Sequence, residues 1–276
     1  MKRYIKIMLA TCFVAALSSC TLGVQDQFDF KGETYSEVDP FTNMTAWEYI
    51  QTRKSNAIRD AQGRFKLVSN TNVLGATGDE LDFMIAAIKK VGFEDLYNQT
   101  ATTGRTYLLL NNNAFTGNND RDVIRSVTGT QLADNSTVNP DTYFDTWTPE
   151  QLNVLKAILK YHIVTDYVAQ RPTIPTYDVY VLFKTLLPKV NLNNAGIPVS
   201  LSTDMADISF SRDVDARSTL KINETGSPLP ETANTLGFDE NVRRHNYVFK
   251  NGIGHYVNES VRYQPYSLYT NLTINK

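Results

Sequence analysis

The sequence predicts an α+β fold, and three observations carry the prediction. Two amphipathic stretches in the first 170 residues have well-formed helix start or stop signals. The stretch that follows is rich in β-branched and aromatic residues divided by turn residues. Close to the C-terminus, two apolar runs flank Asn251-Gly252, a dipeptide that favours a tight hairpin. Helices in one part of a chain and strands in another are the pattern of an α+β domain.

Residues 1 to 19 read as an address. Lys2, Arg3 and Lys6 form a basic start, Ile7 to Leu17 an apolar core, and Ser18-Ser19 a small-residue cleavage region before Cys20. Such a segment is a secretory signal peptide, too short for a membrane span. Leu17-Ser-Ser-Cys20 resembles the lipobox of bacterial lipoproteins, which implies lipidation of Cys20. Thr21 in place of aspartate implies an outer-membrane destination, and the mildly acidic Gln25 to Asp29 implies the cell exterior. The other cysteine, Cys12, is lost with the signal, so no disulfide or cysteine metal site is expected. Residues 20–42 read as a tether.

The folded part opens with a short helix at Trp47, Tyr49 and Ile50, capped by Thr45. Residues 54 to 78 are an insertion or an elaborated lead-in, with Phe65 to Val68 a short strand. Asp79 to Val91 is a helix with Thr77 and Glu80 as capping box, a stripe of Leu81, Met84, Ile85 and Ile88, and Gly92 as left-handed stop. Asp95 to Tyr97 makes another turn. Tyr107 to Leu110 is continuously apolar, the pattern of a strand buried on both faces. Asn111 to Asn113 cap a turn at Ala114-Phe115. Residues 116 to 146 read as loop around a short helix, Asp122 to Val127.

The most complete start signal follows. Thr148 is the cap, Pro149 the first helical residue, Gln151 the capping-box partner, and Trp147 with Leu152 a hydrophobic staple. Leu152, Leu155, Ile158, Leu159 and His162 then share one face, and Ile163-Val164 is a β-branched run. Strands are expected at Tyr177 to Leu187, Ile197 to Leu201, Asp207 to Ser211 and Thr219 to Ile222. Pro188, Asn193, Asn194 and Gly196 mark turns, and residues 223 to 241 a long surface loop. The hairpin at Asn251-Gly252 closes the domain. Tyr263, Tyr266 and Tyr269 belong to a tail that either packs or stays loose.

Three of these pieces carry a family resemblance. Thr106-Tyr-Leu-Leu-Leu-Asn-Asn-Asn-Ala-Phe115, Leu155-Lys-Ala-Ile-Leu-Lys-Tyr-His-Ile-Val164 and Asn251-Gly-Ile-Gly-His-Tyr-Val-Asn258 resemble, in order, the first signature, the Tyr-His signature and the closing strand of fasciclin-like domains. The Pro-Thr usual in the first signature is absent here. The resemblance spans about residues 43 to 265. It implies a single fasciclin-like domain, a β-sheet wedge with several packed helices, followed by a tail over 266–276. With the lipobox, it implies a fasciclin-like lipoprotein of a Gram-negative, Bacteroidota-type bacterium.

The functional expectation has two forms. The resemblance implies a surface binding or adhesion module with a protein or glycan ligand. The alternative is an accessory lipoprotein of an outer-membrane TonB-dependent transporter that takes up glycans or peptides. The fasciclin resemblance also implies a binding role for Tyr161 and His162, whereas the helical spacing places His162 on the apolar face as a core residue. His255 reads as structural and His245 as a solvated loop residue. Three histidines without metal-ligand spacing make zinc unexpected, and no phosphate loop or Gly-x-Ser-x-Gly is present, so neither cofactor nor enzyme is expected. Beyond residue 19 the chain has 24 basic against 29 acidic residues, a formal charge of −5, and no basic patch for nucleic acid. Fifteen tyrosines suit a ligand-binding surface.

Overall fold

The computed structural model describes residues 41–55, 64–69, 72–73, 78–117, 119–132, 137–174, 176–177, 179–214, 219–234, 237–242 and 244–275. The architecture is α+β. The helices are α1 (Ala46–Thr52), α2 (Asp82–Val91), α3 (Glu94–Asn98), α4 (Asn112–Thr116), α5 (Val123–Thr128), α6 (Pro140–Tyr143), α7 (Pro149–Tyr161) and α8 (Glu231–Asn234). The strands are β1 (Phe65–Ser69), β2 (Asn72–Val73), β3 (Arg105–Leu110), β4 (Thr137–Val138), β5 (Ile163–Val164), β6 (Val181–Leu192), β7 (Pro198–Arg212), β8 (Leu220–Ile222), β9 (Glu240–Asn241), β10 (Arg244–Phe249) and β11 (Gly252–Val257). An eight-stranded sheet runs in the order β10-β11-β3-β5-β6-β7-β8-β9, and β1 pairs with β2 and β4 in a smaller sheet. Among the described residues no helix is long and apolar enough to cross a membrane.

In the large sheet β11 and β3 run parallel, in register from Gly252 opposite Arg105 to Val257 opposite Leu110. The other pairings are antiparallel. The three signature segments therefore lie side by side, as β11, β3 and β5. All of β11 is buried, as is β3 after Arg105, which accounts for the unbroken apolar run at Tyr107 to Leu110. Helices α2 and α7 pack on each other and bury Phe83, Met84, Ile88, Leu155, Ile158 and Leu159.

The Thr148 hydroxyl closes the expected capping box with Gln151, the expected cap Thr45 forms a capping box with Glu48 as well, and Asn111 Oδ1 accepts the Ala114 N–H. The helix expected from Asp79 begins instead at Asp82, with no side-chain cap from its own N-cap residue. The preceding backbone is engaged elsewhere: Leu81 N–H donates to the Arg53 carbonyl, and the Glu80 carbonyl accepts from Asn112 N–H. Glu80's carboxylate accepts from Gly78 N–H. Asn112 Oδ1 caps the helix from outside by accepting the Phe83 N–H. Thr77 lies outside the described residues.

The β-rich half departs further from the expected boundaries. Strand β6 starts at Val181, not Tyr177, and runs through Pro188, which was expected to mark a turn. The ladder shifts register around Pro188, as a residue without an N–H requires. Ile197 to Leu201 and Asp207 to Ser211 are not two strands, because β7 is continuous across them. The polar run between them faces solvent, where Asp204 and Asp207 pair with Lys184 and Lys189 across the ladder. Leu192, Ile197 and Val199 are exposed at the outer end of this hairpin. The expected loop at 223 to 241 contains α8 and β9 and buries Ala233. The C-terminal segment packs: Tyr269 and Ile274 are buried, and Tyr269 OH donates to the Pro188 carbonyl. The folded unit, Pro40–Lys276, thus continues past residue 265.

The closing hairpin is offset by one residue from the expected turn. Phe249 pairs with Gly252, so Lys250 and Asn251 make the turn and Gly252 begins the strand. The reason lies in tertiary contacts. Asn251 is fully buried, with Oδ1 accepting from Ala46 N–H at 2.8 Å. Its Nδ2 contacts the Tyr97 and Gln99 carbonyls, each at 2.8 Å, and the Tyr107 hydroxyl at 3.0 Å. A Cβ on Gly252, whose φ is 152°, would stand 2.1 Å from the Arg105 carbonyl oxygen. Asn251→Ala strands a buried N–H and two carbonyls. It should lower unfolding stability by about 3–4 kcal/mol in urea titrations; a loss below about 1 kcal/mol would rule out this tie as a main support.

Candidate functional site

Helix α7 delivers Tyr161 and His162 into the interior, and both are fully buried. His162 is the C-cap residue. Its Nδ1–H donates to the Ile158 carbonyl at 2.7 Å, leaving Nε2 to accept the Val261 N–H at 3.2 Å. Burial pushes its pKa down to about 4, so the ring is neutral. Tyr161 OH donates to the Asp207 carbonyl and accepts from Asn223 Nδ2 at 2.9 Å. The same Asn223 amide donates to the Arg262 carbonyl at 3.1 Å. Asn223 sits at φ 52°, a left-handed conformation that asparagine tolerates. The Tyr-His pair is thus not at the surface. It holds the backbone of residues 261 and 262 from behind.

The same stretch of chain lines a cavity of about 240 Å³. Arg121, Arg125, Arg262, Phe238 and Tyr266 line it, with Ser260 and Asp120 among the polar groups. Two of the arginines meet carboxylates: Arg121 pairs with Glu259, and Arg125 Nε with Asp120 Oδ1 at 2.9 Å. Arg262 differs. Its Nε donates to the Thr232 carbonyl at 3.2 Å, and its guanidinium stands 3.3 Å from the Phe238 ring centroid. No carboxylate pairs with it among the described residues. Its pKa is pushed down by burial, although a guanidinium remains charged at neutral pH. The Ser260 hydroxyl donates to the Arg121 carbonyl, tying the wall after β11 to the wall before α5.

Two buried acids stand behind Arg121. Asp122 is pushed up to about 7, chiefly by burial, although Asn119 N–H donates to it at 2.6 Å. Gly117 makes room for that carboxylate, since a Cβ there would collide with it. Glu240 is pushed up to about 8 by burial and by the charge of Glu259, against the Asn258 N–H that donates to it. Both acids hold their proton better in the fold than in the unfolded chain. Their contribution to stability is fully present below about pH 4 and is lost as pH rises towards 8. His162 and His255, both pushed down to about 4, act oppositely by losing stability as pH falls below 6.5. Above about pH 7 both rings are neutral folded or unfolded, so among these four groups the acids govern the slope. The melting temperature should therefore fall from about pH 6.5 to about pH 9, and Glu240→Gln, which keeps the acceptor for Asn258, should flatten that fall.

His255 is core, with Nε2 donating to the Val168 carbonyl and Nδ1 accepting from Asn246 N–H. His245 is not in a loop as expected but on β10, where it is half-buried. Among the described residues no group of three His, Cys, Asp or Glu side chains is placed to hold a metal ion. Cys20, the expected lipidation site, lies outside the described residues, as does Cys12. The sequence reading missed the arginines. They come from segments more than 130 residues apart, and no local spacing joins Arg262 to Arg121. His162→Ala removes the acceptor of Val261 N–H, and its expected cost is about 1–3 kcal/mol. Thermal melts would show the loss, and hydrogen exchange at the Val261 amide should speed up with it.

The chain matches no protein-family model and no curated protein. Among solved structures, a FAS1 domain pair from the insect cell adhesion molecule fasciclin I is similar at 15% identity and a TM-score of 0.35. The match covers 66% of this chain and 47% of that one, so it spans about half the length of the domain pair.

Proposed function

We propose that this chain is a binding or adhesion module without catalytic activity, held by lipid on Cys20 at the outer membrane of a Gram-negative, Bacteroidota-type cell and facing the exterior. The observation that carries the binding reading is the meeting of the three signature segments. Residues 106–110, 163–164 and 252–257 lie far apart in sequence, yet form adjacent strands of one sheet. Matching motifs that also assemble into a single hydrogen-bonded unit are far less expected by chance than motifs that scatter. The anchor rests on the Leu17-Ser-Ser-Cys20 run after an apolar core. Each acyl CH₂ buried in the bilayer contributes roughly 0.8 kcal/mol, so several chains hold a domain firmly.

Cys20→Ser should move the protein from the membrane fraction to the soluble fraction, or stop its processing, while the melting temperature of the folded part stays the same. A processed, membrane-bound variant overturns the anchor. Surface exposure follows from protease shaving of intact cells, which should remove the protein. Co-purification with an outer-membrane transporter would shift the reading to the accessory role.

A further inference from the structure

The cavity bounded by Arg121, Arg125 and Arg262 has a charge pattern that the scaffold does not neutralise. Arg121 and Arg125 have carboxylate partners. Arg262 has only the Thr232 carbonyl on Nε and the Phe238 ring on its face, which leaves Nη1 and Nη2 without acceptors among the described residues. A half-buried guanidinium in this state has given up part of its hydration without gaining a counter-charge. The ring offsets some of that loss, but an aromatic face carries no counter-charge and is only a weak acceptor.

We propose that this cavity binds the oxyanion of a small ligand, with Arg262 as the fork that grips it and Arg121 and Arg125 as flanking cations. Three features argue for an anion over a neutral guest. The lining carries three cations against one carboxylate, Asp120. The two free Nη amino groups of Arg262 can meet two oxygens of a carboxylate, phosphate or sulfate at once. The ring under Arg262 fixes the plane of that fork, so little side-chain freedom is lost on binding. The volume of about 240 Å³ suits an anionic group on a scaffold about the size of one sugar ring and excludes a folded partner. The wall is also held in advance: the Arg262 and Val261 backbone is tied to Asn223 and His162, and Ser260 to Arg121. This inference specifies a ligand class for the binding reading above and is independent of the lipid on Cys20.

The test uses the full-length chain in detergent at low ionic strength, titrated separately with glucuronate, inorganic phosphate and glucose and followed by calorimetry. Saturable binding of glucuronate or phosphate, absent for glucose and weakened by added salt, is the expected result. Preference for glucuronate assigns a carboxylate ligand, and preference for phosphate a tetrahedral oxyanion. Arg262→Gln should weaken the preferred anion about tenfold or more. Arg262→Lys, which keeps charge but not the fork, should fail to restore it fully. Should either substitution lower the melting temperature, Arg125→Gln supplies an independent reading from the opposite wall and should also weaken binding. Absence of saturable anion binding, equal binding of glucose, or undiminished affinity in folded Arg262→Gln overturns the proposal. None of those outcomes touches the membrane anchoring of Cys20.

Discussion

The side chain of Asn251 is the point on which the helical and strand parts of the fold depend. One amide joins the start of α1 through Ala46, the end of α3 through Tyr97 and Gln99, and strand β3 through Tyr107. Each partner is a backbone or hydroxyl group that would be costly to leave unpaired in the interior. Asparagine alone among neutral side chains of this length has both donors and an acceptor on one planar group. Gly252 extends the constraint, because the parallel approach of β11 to β3 leaves no room for a Cβ against the Arg105 carbonyl. The Asn-Gly pair thus answers to long-range packing more than to the turn, which Asn251 shares with Lys250 and which Gly252 follows.

That distinction explains what the sequence revealed and what it did not. Thr45, Thr148 and Asn111 cap helices through bonds three residues away, so local spacing was sufficient to find them. The start of α2 was misread because its cap, Asn112, lies 29 residues from the Phe83 amide it serves. Pro188 reads as a break in any local window. It stays within β6 because a register shift removes the need for its N–H, and its carbonyl takes the Tyr269 hydroxyl from the far C-terminus. The run Ser202 to Asp204 looks like a loop because it is polar. It is strand because Asp204 and Asp207 meet Lys184 and Lys189 across the ladder.

The candidate site was less legible for the same reason. Its cations come from the segment before α5, from α5 itself and from the chain after β11, and only the fold brings them together. Nor does sequence reveal that Asp122 and Glu240 are buried beside Arg121, where carboxylates hold protons into the neutral range. What the sequence did show was Tyr161-His162, and the two residues do reach the site, but from the inside. Their contacts end on the backbone of residues 207 and 261 and on the Asn223 side chain, and neither residue lines the cavity.

This placement separates two kinds of information in one motif. A buried Tyr-His pair constrains how the sheet and α7 meet, and many surfaces can be mounted on that junction. The side chains that give the cavity its chemistry, Arg125 and Arg262 above all, come from α5 and from the chain after β11. A neutral, fully bonded imidazole behind Val261 keeps that wall fixed without adding charge to it. A protonated ring would lose its acceptor for the Val261 amide. Burial of His162 therefore does two things at once: it completes the core, and it leaves the cavity's charge to side chains that can meet a ligand.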